Sequence, residues 1–187
     1  MTITKIIVLG SLAALYLILA QAGVMVMSVT GLPAGTGGII NILWSATIPV
    51  IAVLITRQFG AATFMLLVYY TLALPFPIGG PPGFLPKIII GLIGGLTMDV
   101  AFQLLKKHEK IASATMAFVE NLFLGLGVIV LLGAFGLPGA DVAKNVFTNP
   151  KILAPFLAIP AALGLFAWWI YKKLENTAVV RRIRGDR

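Results

Sequence analysis

From Ile6 to Met27 the chain runs 22 residues without a charged side chain. A helix of about 20 residues, rising 1.5 Å per residue, crosses the ~30 Å hydrocarbon layer of a bilayer. Predominantly apolar runs recur at 39–56, 60–74, 86–105, 111–135 and 152–171, and a basic tail, 172–187, closes the chain. Hydrophobic residues make up 59% of the sequence and charged residues 11%, against roughly a quarter charged in soluble domains. So few charges cannot cover a water-soluble surface. The expectation is an all-α, polytopic membrane protein: one bundle of six transmembrane helices with no soluble domain.

Two spans need comment. The first follows Lys5 and has the look of a signal peptide, but it is too long for an h-region and no small-x-small cleavage site ends it. It reads as a retained helix. The third, at 15 residues, reaches only about 22 Å, so it either thins the bilayer or extends into the next segment. That segment, Pro75 to Gly83, cannot be helical, because its prolines remove donors and fix φ.

Net charge is +8, and its placement carries the information. Six spans put eleven of the fourteen Lys and Arg residues on one side, and only Lys87, Lys144 and Lys151 on the other. The positive-inside rule then orients both termini of a multi-pass cell-membrane protein to the cytoplasm. These cations border apolar segments and form no aromatic-interleaved basic face, so a nucleic-acid partner is not expected. Zero cysteines exclude disulfides, a thiolate nucleophile and Cys-ligated metals. The sole histidine, His108, lies in the KKHEK loop, where it can build neither a zinc set nor a Ser-His relay. No catalytic set, metal or cofactor is expected, and the chain does not read as an enzyme.

Asp99 and Glu120 are the carboxylates inside apolar spans, and ionisable groups at membrane depth are costly and by default functional. Asp99, toward the basic face, reads as a structural bond to a backbone group or to Arg57. Glu120 is balanced between structure and pocket, with Asn121 and Gln103 available beside it. Neighbours on a helix diverge by about 100°, so Glu120 and Asn121 are expected to serve different partners. Asn41 and Trp44 on the second span, with Tyr69 and Tyr70 on the third, complete the candidate binding set. Trp44 reads as pocket wall; Tyr69 and Tyr70 fit wall or interfacial belt equally. Trp168, Trp169 and Tyr171 fit the belt. Tyr16 and Gln21 lie on the first span. Small residues four apart, Gly10 and Ala14, Gly91 and Gly95, Ala158 and Ala162, allow helices to approach closely.

The stretch GGPPGFLPKIIIGLIGGLTMDVAFQLLKK, Gly79 to Lys107, resembles the loop-three and helix-four region of the substrate-binding S components of energy-coupling factor transporters. There a Gly/Pro loop leads through Pro-Lys into a Gly-rich helix with a late acidic residue. Gly10 and Ala14 resemble the family's small-xxx-small pair on helix one, with Gly in place of the first Ala. The resemblance implies a binder of a vitamin or similar small molecule, held by helices four to six under loops one and three. It also implies partners: a transmembrane coupling subunit, met by Gly10 and Ala14, and ATPase subunits. The chain has no Walker motif, in keeping with energy supplied by a partner. The alternative is a stand-alone small channel or secondary carrier. A carrier would show matched Gly/Pro interruptions, of which only Pro155 and Pro160 are present.

Overall fold

A computed structural model describes residues 1–30, 37–136, 144–145 and 148–185. All regular structure among them is helical: α1 (Ile3–Thr30), α2 (Gly37–Thr56), α3 (Ala61–Leu72), α4 (Pro86–Leu105), α5 (Glu109–Ala134), α6 (Pro150–Leu174) and α7 (Ala178–Arg184). Four of these, α1, α4, α5 and α6, are long and apolar enough to cross a membrane, and shorter apolar helices cover Asn41–Thr56 and Ala61–Leu72. Only 17% of the most apolar window of α6 is buried by the protein. Its outward Ile159, Leu165, Phe166 and Trp169 are exposed, an apolar surface of the kind that suits lipid.

Sequential helices pack on one another from α3 through α6, α2 closes against α6, and α1 lies on α2 and α3. Lys5 Nζ donates to Thr56 O at 3.1 Å, which fixes the antiparallel register of α1 and α2. Both prolines expected to bend the last span, Pro155 and Pro160, are accommodated inside the continuous α6.

The third apolar segment is shorter than the 60–74 expected from sequence. At 12 residues α3 reaches about 18 Å. It ends where Pro75 and Pro77 withdraw backbone donors, and Lys87 fills the gap. Lys87 is fully buried, and its Nζ donates to Phe76 O at 2.7 Å and Ala73 O at 3.5 Å. The cation counted as a loop charge in the sequence is thus the internal cap of the α3–α4 connection.

Glycines set the α3–α4 and α5–α6 contacts. A Cβ on Gly95 would lie 2.7 Å from Thr63 N, and one on Gly164 would lie 2.9 Å from Ala117 Cβ. Gly91 stands equally close to the Tyr70 ring. Ala158 and Ala162, the small pair expected on the last span, are exposed, and Gly164 makes the close approach instead. Gly10 differs from all of these: a Cβ there meets nothing within 4 Å.

Candidate functional site

The inward face of α1 is read by its small residues. Leu9, Ala13, Tyr16 and Ala20 recur at helical spacing and are all buried. That stripe delivers the Tyr16 ring to the bundle interior, where it stacks on Tyr69 with centroids 3.9 Å apart and planes 7° from parallel. Tyr70 meets Tyr69 edge-on at 4.9 Å. All three tyrosines are within electrostatic reach of Glu120.

Glu120 sits 11 residues into α5, about 16 Å from that helix's basic end and near its midpoint. It is 1% exposed. Asn121 Nδ2 donates to Glu120 Oε2 at 2.7 Å and to Ala117 O at 3.0 Å, while Ser45 Oγ donates to Asn121 Oδ1 at 3.1 Å. Among the described residues no hydrogen bond reaches the other carboxylate oxygen, Oε1. Glycine makes the room: a Cβ on Gly94 of α4 would be 3.9 Å from Glu120 Cγ. Asn121 bonds an adjacent helix through Ser45, as expected of one of the pair, and its Nδ2 in addition holds Glu120. Gln103 takes no part; its Oε1 accepts from Lys106 instead.

Above this layer lie two buried amide atoms without hydrogen-bond partners among the described residues, Gln21 Nε2 and Asn41 Oδ1. The Lys5–Thr56 register sets them level: Gln21 is 16 residues beyond Lys5 and Asn41 is 15 residues before Thr56, about 24 and 22 Å along their axes. A donor and an acceptor thus share one depth, on the side of the α1–α2 and α3–α4 connections.

Other expectations sort as follows. Tyr69 and Tyr70 are 2% and 3% exposed, so they are interior residues and no interfacial belt. Trp44 is half-buried against the core, and it is Tyr16, not Trp44, that stacks on the tyrosine pair. Tyr171 is no belt residue either: it is fully buried, and its hydroxyl accepts from Arg57 Nη2 at 3.2 Å. Trp169 is exposed beneath the Lys173 ammonium, 3.8 Å from its ring.

Asp99 is structural, and its partners are two backbone amides and a hydroxyl at the start of α3. Oδ1 accepts from Ala62 N at 3.1 Å, and Oδ2 accepts from Thr63 N at 3.0 Å and Thr63 Oγ1 at 2.6 Å. Gly60, the α3 N-cap, has no side chain to cap these amides, so a carboxylate from α4 does it. Arg57, the other partner considered, instead pairs with Glu109, which Lys172 also approaches at 3.2 Å.

Sequence reasoning passed over Ser45 altogether and left Tyr16 and Gln21 out of the binding set. For Tyr16 the signal was present, in the Leu9–Ala13–Tyr16–Ala20 spacing. Among the described residues no group of His, Asp and Glu is arranged to hold a metal ion. No protein-family model, curated protein or solved structure matches the chain.

Proposed function

We propose that this chain is the substrate-capturing membrane subunit of an energy-coupling-factor-type uptake transporter, binding a vitamin-like small molecule from outside for import driven by partner ATPases. On this reading six helices span the bilayer and both termini are cytoplasmic. The observation that carries it is Glu120: a buried carboxylate at mid-bundle with Oε2 held by Asn121, no hydrogen bond to Oε1 among the described residues, and three tyrosines within electrostatic reach. A buried ionisable group among apolar helices is costly to keep, and a cationic or donor-rich ligand offsets that cost. Flat rings suit the tyrosines, by stacking or cation–π contact. Gln21 Nε2 and Asn41 Oδ1 supply further donor and acceptor capacity on the entry side.

This cluster draws on α1, α2, α3 and α5, whereas the family resemblance implies helices four to six; α5 is common to both. Gly10 supports the coupling half of the proposal, since a Cβ there meets nothing within 4 Å among the described residues.

The test is purification from native membranes, with mass spectrometry of what accompanies the protein. An integral-membrane coupling subunit, ATPase subunits and a bound small molecule are expected. Recovery of the chain alone, with substrate transport in liposomes lacking ATP, would replace this reading with the carrier.

A further inference from the structure

At the α4–α5 turn the surface holds a groove of about 490 Å³ lined by Lys106, Lys107, Lys110, Lys172 and Trp168. Its single carboxylate, Glu109, is already engaged by Arg57 and Lys172. Lys106 meets only the neutral Gln103 amide, Lys110 stands 5.8 Å over the Trp168 ring, and Lys107 has no hydrogen-bond or ion-pair partner among the described residues. Lys172 is also paired with Glu175, at 2.9 Å, so Lys106, Lys107 and Lys110 are the groove's cations without an acidic partner among the described residues, and they make it a net-cationic site beside an indole.

A second groove, about 450 Å³ and almost wholly apolar, lies between α4 and α5 and is lined by Leu96, Val100 and Leu104 with Thr115 and Val119. Their lining residues adjoin along the helices. Ile111 of the basic groove, Thr115 and Val119 follow at four-residue spacing on one face of α5, and Leu105 of the apolar groove adjoins Lys106. Val100 and Leu104 are 48% and 78% exposed, which in a bilayer means lipid-facing.

We infer that this composite groove is a specific site for an anionic phospholipid, its phosphodiester on Lys106, Lys107 and Lys110 and an acyl chain laid along Leu96, Val100 and Leu104. A free phosphate would share the basic groove but make no use of the apolar one; that difference decides for lipid. Cations at the end of a membrane helix attract anionic headgroups with about 1 kcal/mol per residue, or about fivefold in affinity.

The test uses the purified full chain in neutral detergent, with phosphatidylglycerol, phosphatidylcholine or inorganic phosphate added. Native mass spectrometry reads bound lipid and thermal melting reads stabilisation. Phosphatidylglycerol is expected to bind and raise the melting temperature, whereas phosphatidylcholine and phosphate leave it unchanged. Lys106→Gln, Lys107→Gln and Lys110→Gln together should weaken phosphatidylglycerol binding about a hundredfold, at fivefold each. Val100→Trp, on the exposed wall of the apolar groove, should abolish the shift without lowering the melting temperature of the lipid-free protein. Arg181→Gln with Arg182→Gln, exposed cations on α7, should retain it. Undiminished binding in the lysine variant, an equal shift with inorganic phosphate, or equal loss in the α7 variant would each overturn the assignment.

Discussion

Replacing Asp99 with Asn tests whether a carboxylate from α4 holds the start of α3. In the same rotamer the amide oxygen can keep the two Thr63 donors, at 3.0 and 2.6 Å, but Nδ2 then faces the Ala62 N–H. One charge-assisted bond is lost and two are weakened. Each hydrogen bond to a charged group contributes about 1.5–3 kcal/mol. Relief of a desolvated charge offsets part of the loss, leaving an expected cost of about 2 kcal/mol. Thr63→Val removes only the hydroxyl at a partly exposed position, for about 1 kcal/mol. Because both substitutions act on one carboxylate, the double variant should cost less than the two singles added together. Reversible unfolding in mixed dodecyl sulfate micelles, followed by circular dichroism, measures all three. An Asp99→Asn protein within about 0.5 kcal/mol of the parent, or strict additivity in the double variant, would refute the cap.

Cysteine scanning of intact cells should show Pro82→Cys labelled by an impermeant maleimide and His108→Cys protected; strong labelling at 108 would reverse the topology. Pro82 is the better loop position because Gly80, at φ +137° and with Phe84 Cδ1 2.7 Å from its would-be Cβ, does not accept a side chain. Gly10→Leu should leave the melting temperature unchanged while abolishing partner assembly, whereas Gly95→Leu should prevent folding; equal melting of the two would contradict the packing described. Lys87→Met strands the Phe76 and Ala73 carbonyls and should destabilise by about 1–3 kcal/mol, read by the same micelle titration.

The helical skeleton was legible because apolar runs long enough to cross a bilayer have few other uses, and their ends fell within a few residues of the helices found. The end of α3, two residues short of the expected 74, follows from Pro75; what no local pattern announces is Lys87 reaching back 11 and 14 residues to the carbonyls left there. Asp99 was legible as structural, since it lies near the basic face, but its partners depend on Gly60 leaving α3 without a cap. The candidate site was half legible. Glu120 and Asn121 stood out by their cost in an apolar span, yet the tyrosine completing the wall came from α1. Only helix packing, set by Gly91, Gly95 and Ala13, decides which aromatic rings meet. Trp44 was the larger aromatic and the more visible in sequence; Tyr16 had the inward position.

The proposal that Glu120 receives the ligand is tested most directly by titration calorimetry of the co-purified small molecule against the parent protein and Glu120→Gln. The substitution keeps shape and the Asn121 contact while removing the charge. Affinity is expected to fall by about 1–3 kcal/mol, the contribution of a lost hydrogen bond to a charged group, with the melting temperature preserved. Unchanged affinity in a folded Glu120→Gln protein would show that the carboxylate only braces α5 against α2, and that the ligand binds elsewhere.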